Sequence, residues 1–165
     1  MTTATLPPSP CPGRLAIFIP AWQESAVIGA MLAHALRCWG DADYRIFVGA
    51  YPNDPETLDA IAAVAMGQQR IIAGVNERKG PTTKADCLNM LWRAMLREEE
   101  RTGTSYKAVI LHDAEDVVHP DEIRLFDHMI DRFGLVQLPV LPLPGEGAWW
   151  ARVISNPEGG EFAEN

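Results

Sequence analysis

The stretch KAVILHDAEDVVHP, Lys107 to Pro120, decides the fold. Its first part, ending at Leu111, is the short apolar run of a buried strand. Its second part sets Asp113, Glu115 and Asp116 between His112 and His119, ahead of a proline suited to the first turn of a helix. Three carboxylates so close together repel one another and cost stability unless water or a cation offsets them. Strand, acidic loop and helix form one βα unit, and the rest of the chain repeats it.

Upstream, LAIFIP (Leu15–Pro20), YRIFVGA (Tyr44–Ala50) and RIIAG (Arg70–Gly74) read as strands, with Lys107–Leu111 the fourth. Val27, Ile28, Met31, Leu32, Ala35, Leu36 and Trp39 recur at helical spacing until Gly40 stops them. Asn53 or Asp54 caps a second helix with Pro55 at its first position, Leu58, Ile61, Ala62 and Ala65 on its apolar face and Gly67 at its end. Thr82 or Thr83 caps a third, with Leu88, Leu91, Trp92, Met95 and Leu96 facing inward and REEER as a solvated tail. Pro120 opens a fourth helix, with Ile123, Phe126, Ile130 and Phe133 on one face and Gly134 ending it. Leu135–Val140 (LVQLPV) reads as a fifth strand, edge-like because Pro139 has no N–H to donate.

The order βαβαβαβαβ predicts an α/β fold, a Rossmann-like, mostly parallel sheet with helices on both faces. Residues 1–13, rich in proline and threonine, are expected to be a flexible lead. Residues 14–141 form the domain, and residues 142–165 lose all period and read as an irregular tail.

The chain of 165 residues carries a net charge of -8 and is 47% apolar, enough for a real core. Its acidity argues against a bulk electrostatic grip on nucleic acid or an anionic membrane. A small phosphorylated ligand needs only local donors or a metal. Cys11, Cys38 and Cys87 are odd in number and widely spaced, which suits free thiols in a reducing compartment. No apolar run approaches the roughly 18–20 residues of a membrane span, and the first residues lack the pattern of a secretory signal.

Ligands of open α/β sheets bind beyond the carboxyl ends of the strands. The loops there are PAWQES, YPNDPET, NERKGPTTKAD and HDAED, and they carry Glu24, Asp54, Lys84, Asp113, Glu115 and Asp116. Two readings of the acids after the fourth strand stand side by side. One is an exposed helix start, with Asp116 or His119 as cap and the helix dipole favouring acids. The other is a hard divalent cation, Mg2+ or Mn2+, held by oxygen ligands with room for phosphate. Zinc is disfavoured, because His112 and His119 have no cysteine or third histidine at a usual spacing. G-x-G-x-x-G, a full P-loop and G-x-S-x-G are all absent.

In order and approximate spacing, PAWQE, TTKADCLN, HDAED followed by VVHP, and VQLPV resemble the P-A-Y-N-E, G-K-A-x-A-L-N, D-A-D-D…H-P and V-Q-x-P segments of family-2 glycosyltransferases of the GT-A fold. YPNDPET stands where that family has its D-D-G-S-T-D segment. The set, with EFAE, resembles most the inner-membrane, cellulose-synthase-like branch that includes the bacteriophage adsorption protein B family. The resemblance implies inverting transfer from a nucleotide-diphosphate sugar, a UDP-sugar first. It implies that Pro20, Ala21 and Glu24 contact the nucleoside, with Asp54 near the uracil and Trp22 bordering the base or packing. Lys84 would approach the diphosphate and Asp113 the ribose or diphosphate. Asp113, Glu115 and Asp116 would hold Mg2+ or Mn2+, with Glu115 one methylene longer than the family's aspartate.

The family's T-E-D acceptor base and Q-x-x-R-W segment have no counterpart here, and nothing positions Glu158, Glu161 or Glu164 as a base. The expectation is therefore the cytoplasmic donor half of a longer protein at the inner face of the inner membrane. Its acceptor would be a glycan or lipid-linked, with membrane association through the parent and no nucleic acid partner. The alternatives are a non-catalytic nucleotide- or partner-binding module and, more remotely, a metal-dependent phosphohydrolase.

Overall fold

The computed structural model describes residues 7–138. The described elements are β1 (Leu15–Pro20), α1 (Ile28–Trp39), β2 (Tyr44–Ala50), α2 (Pro55–Ala65), β3 (Ile71–Val75), α3 (Lys84–Thr102), β4 (Ala108–Leu111) and α4 (Glu122–Met129). The four strands form one parallel sheet in the order β3-β2-β1-β4, with Ile17 of β1 level with Ile46 of β2 and Ile110 of β4. The chain steps outward from β1 to β3, then returns across the sheet to lay β4 on the other side of β1. The crevice between the carboxyl ends of β1 and β4 is thus the point where the winding reverses, the usual ligand position in such sheets.

Both faces of the sheet are covered. Leu15, Ile17 and Ile19 pack with Ile28, Leu32 and Ala35 of α1, Ile61 of α2 and Ile123 of α4. Ala16, Phe18 and Phe47 pack on the opposite face against Cys87, Met90, Leu91 and Met95 of α3. Strands buried on both sides read as continuous apolar runs rather than alternations, as LAIFI does. Gly49 and Gly74 lie level in β2 and β3 beneath α3. A Cβ at Gly49 would sit 2.6 Å from Cys87 Sγ, and one at Gly74 would sit 2.8 Å from Met90 Sδ. The missing side chains let α3 lie close on the sheet.

The helix ends follow the residue chemistry. Asp54 caps α2 by accepting from Thr57 N, with Pro55 at the first position. Thr83 Oγ1 accepts from Asp86 N to cap α3, which ends at Gly103 in the left-handed region, φ 66°. Gly40, φ 48°, ends α1.

Several expectations are corrected. On α2, Ala62 is exposed, whereas Thr57 and Ile61 are buried. On α3 the inward face is Cys87, Met90, Leu91 and Met95, one step round from the expected stripe, so Trp92 is 47% and Leu96 39% exposed. α4 starts at Glu122 rather than Pro120, with Asp121 in the cap position, and stops at Met129. Phe133 is therefore exposed. Beyond Met129 the chain turns, and Asp131 reaches Lys107 instead of continuing the helix. His128 is buried. Residues 135–138 belong to no strand, and the rest of the expected fifth strand, like Glu158, Glu161 and Glu164, lies outside the described residues.

At the amino end of β4, Lys107 Nζ donates to Asp127 Oδ1 at 2.7 Å, to Asp127 O and Cys11 O at 2.6 Å and to Ser9 Oγ at 3.0 Å. It also lies 2.8 Å from Asp131 Oδ1. Within the lead, Ser9 and Cys11 are thus bonded to this lysine, and Gly13 N donates to Asp127. All three cysteines are free. Among the described residues no helix is long and apolar enough to cross a membrane.

Candidate active site

The rim is assembled by loops that hold one another. Ala21 N donates to Gly49 O at 2.7 Å and so carries the β1–β2 ladder just past Pro20. The chain then turns sharply at Gln23, φ 57°, and Glu24 opens the turn into α1 by accepting from Val27 N and Ile28 N. Two side chains from the start of α2 fix this turn. Asp54 Oδ2 accepts from Gln23 N at 2.6 Å, and Thr57 Oγ1 accepts from Glu24 N at 3.0 Å. Asp54 is 7% exposed, and its other oxygen faces Thr57 N. Both of its oxygens are therefore engaged by backbone amides.

The loop before α3 is tied to the loop after β2. Asn53 Nδ2 donates to Gly80 O at 2.8 Å, and Gly80 N returns a bond to Asn53 Oδ1 at 2.7 Å. Tyr51 and Thr82 join through their hydroxyls at 2.8 Å. Trp22 packs edge-on against Tyr51, with ring centroids 5.2 Å apart. A Cβ at Gly80 would meet Trp22 Cζ3 at 2.5 Å, so only glycine lets these loops close on the indole. Lys84, the first residue of α3, is aimed by this arrangement across the crevice and forms an ion pair with Asp113.

The acidic loop after β4 is a compact turn. His112 N donates to Phe18 O at 3.0 Å, extending the β4–β1 ladder by one residue. Asp116 Oδ2 accepts from Asp113 N at 2.9 Å and contacts His112 Nδ1 at 3.0 Å. Asp116 thus closes the turn rather than capping α4. His119, the other expected cap, accepts from Asp121 N through Nδ1 at 3.1 Å. His112 is mostly buried, with Nε2 2.9 Å from Glu122 Oε1 but out of line for a good hydrogen bond. Burial alone would lower its pKa, but Glu122 and Asp116 outweigh burial, and the net shift is upward. From α1, Trp39 Nε1 donates to His119 O, and His34 Nε2 lies 3.2 Å from Val118 O. The acidic loop is thus fixed from behind.

The electrostatics show which groups converge. The Glu24 carboxyl is held above its ordinary value of 4.5 first by burial, then by the negative charges of Glu115, Asp113 and Asp54. Three acids from two other loops thus act on Glu24, and Lys84 pairs with one of them, Asp113. Among the described residues no three His, Cys, Asp or Glu side chains stand close enough to hold a metal ion by themselves. Asp113 and Glu115 are both exposed at the crevice, available to an incoming group. Tyr51 and Thr57 carry no signal in the sequence, and Asn53 and Thr82 stand out there only as candidate helix caps. Thr57 stands at capping distance from Asp54, but its reach to Glu24 depends on how two remote loops meet.

A parallel sheet with a carboxylate-lined crevice at its switch point is the architecture of the GT-A glycosyltransferases. The chain belongs to the family described as glycosyltransferase like family 2, whose model matches residues 12–143. Over 150 residues it is 41% identical to "Bacteriophage adsorption protein B" of Escherichia coli (strain K12), with 91% of this chain and 20% of that protein covered. The same figures hold for "Bacteriophage N4 adsorption protein B" of Escherichia coli O157:H7. The chain therefore spans about a fifth of the length of the curated relatives it matches. Among solved structures, the mannosyltransferase PcManGT from Pyrobaculum calidifontis, in complex with GDP-Man and Mn2+, matches with a TM-score of 0.55 at 15% identity. That match covers 79% of this chain and 37% of the other, and it is a likeness of fold.

Proposed function

We propose that this chain is the donor-binding part of an inverting glycosyltransferase that takes a nucleotide-diphosphate sugar together with Mg2+ or Mn2+. One observation carries the reading: at the exposed rim Asp113 pairs with Lys84 from the start of α3, beside a Glu24 carboxyl that burial and then Glu115, Asp113 and Asp54 push upward. Such repulsion lowers stability unless a cation offsets it. Lys84 offsets part of it at Asp113. A divalent cation offsets more, and it brings a diphosphate to a protein whose net charge is -8.

The residues fit such an ion. Magnesium-like cations are commonly held by only one or two carboxylates, with substrate phosphates completing the shell, so no three-residue protein cluster is needed. Asp113 and Glu115 would hold the ion, and Asp116 would orient Asp113 through its amide. When bound, the cation neutralises charge growing on the departing diphosphate. Pro20, Ala21 and Glu24 border the nucleoside. Asp54 acts there through the Gln23 turn that it clamps. With Asp113 on the ion, Lys84 would be free to pair with a phosphate oxygen.

The neighbour solved with GDP-Man and Mn2+ supports the ligand class. UDP remains our reading of the base, on the family resemblance. The acceptor, a glycan or lipid-linked, and the base that deprotonates it belong to a longer parent at the cytoplasmic face of the inner membrane. Calorimetry tests the proposal. UDP is expected to bind more tightly with Mn2+ than without it, and more tightly than GDP under the same conditions. Glu115→Gln should abolish the manganese gain. An unchanged manganese dependence in that variant overturns the metal assignment, and tighter GDP binding overturns the choice of base.

A further inference from the structure

β3 is the outermost strand on the side of β2 away from the crevice. Arg70 O accepts from Ile46 N, and Asn76 N donates to Ala50 O, so the even-numbered residues here turn their main chain toward β2. The alternation of a parallel ladder leaves the N–H and C=O groups of Ala73 and Val75 turned outward. Natural sheets usually blunt such an edge with charge, proline or a bulge. IIAGV contains neither a charged residue nor a proline. Instead, the edge opens on a groove of about 430 Å3 between β3 and α3.

That groove is cationic on an acidic protein. Arg93, Arg97 and Arg101 line it at four-residue steps along α3, joined by Arg78. Of the three acids in its lining, Asp86 lies 3.7 Å from Arg78 and Glu98 lies 2.7 Å from Arg101, which leaves Glu77 against Arg93 and Arg97. Arg93 and Arg97 make no hydrogen bond or ion pair among the described residues. The spacing is also commensurate. Four residues of helix rise about 6 Å, and same-face residues of an extended strand repeat at roughly 6.6–6.8 Å. Gly74 faces α3, so alternate side chains of a strand added beside β3 would face α3 too.

We infer that this groove takes an extended acidic segment of a partner protein as an added strand on β3. Its main chain would pair with Ala73 and Val75, and acids at every second position would meet Arg93 and Arg97. Strand addition gains affinity from main-chain bonds and specificity from alternate side chains. A second copy of this chain is the poorer occupant, because its own β3 edge brings no acid to the arginines.

The probe is a fluorescein-labelled octapeptide of alternating Glu and Val, followed by anisotropy, with amide hydrogen exchange on the protein. Binding is expected to protect the Ala73 and Val75 amides. It is expected to weaken by about tenfold or more in Arg93→Glu/Arg97→Glu, as for loss of close charge pairs. Both arginines are exposed, and an unchanged thermal melt would confirm that the double variant folds. An alternating Lys and Val peptide should not bind. Equal binding by an alternating Glu and Pro peptide, no protection at Ala73 and Val75, or tighter binding of a single-stranded oligonucleotide each overturns the inference.

Discussion

β4 bears charge at both ends, and the two ends treat it differently. At the amino end Lys107 is surrounded by acceptors, and its pKa rises because the bonds to Asp127 and Asp131 outweigh its burial. At the carboxyl end carboxylates face carboxylates, and Glu24 is pushed up by burial and by its acidic neighbours. The first cluster is complete within the protein. The second keeps a surplus of carboxylates, with Lys84 paired to one of them, Asp113. Charge satisfied internally fastens the fold, whereas charge left in conflict at a rim marks where a ligand is wanted.

Lys107→Met should produce the largest effect. It leaves Asp127 and Asp131 together without their cation. Breaking a fully buried pair costs roughly 3–5 kcal/mol, and the water that reaches this one brings the expectation to about 2 kcal/mol. Urea unfolding measures it, and a loss under about 0.5 kcal/mol, the range of ordinary surface changes, would erase the contrast between the ends. Asp54→Ala should come next, at about 1–2 kcal/mol, because it removes both a helix cap and a loop clamp. Asp54→Asn, which keeps an acceptor oxygen, should recover part of that in the same assay.

The contrast also has a pH signature. Asp131 is held below its ordinary 3.8 chiefly by its bond to Lys107, then by Ser9. A depressed acid contributes stability that is present above its unfolded value and lost as pH falls through its folded one. Glu24 is the reverse: its raised pKa favours the fold at low pH, and that contribution is lost as pH rises from 4.5 through the raised value. Unfolding measured across this range should show Asp131→Asn flattening the acid limb and Glu24→Gln flattening the limb just above 4.5. Swapped effects would refute the pairing of roles. The smallest expected change is Glu115→Gln, within about 0.5 kcal/mol of the parent without metal, since an exposed acid at a repulsive rim fastens nothing.

Much of this was legible in the sequence. Apolar runs gave four strands, and Asp54, Pro55, Thr83 and Gly40 marked helix ends, because capping is local chemistry. The rim itself followed from strand alternation alone. What escaped depended on tertiary meeting. The buried stripe of α3 lies one step from the one its sequence predicts, because Leu88, Trp92 and Leu96 are as apolar as the residues that face the sheet, and only the sheet chooses between them. α4 ended early because Asp131 is drawn to Lys107, a residue 24 positions earlier in the chain. Asp54 caps α2 with one oxygen, as its spacing predicts, but no spacing rule reveals that the other serves Gln23 N across the rim. His112, disfavoured as a zinc ligand by its spacing, sits between Asp116 and Glu122 behind the acids, a placement that depends on the tertiary fold.

The paired glycines under α3 have a consequence for variation in this protein. Gly49 and Gly74 form a notch one methyl deep, into which Cys87 and Met90 settle. Alanine at either position would lift the helix from its bed, and with it the first turn that carries Lys84. A saturation library selected for folding should therefore find these two strand glycines among the least replaceable positions, although neither carries a side chain of its own.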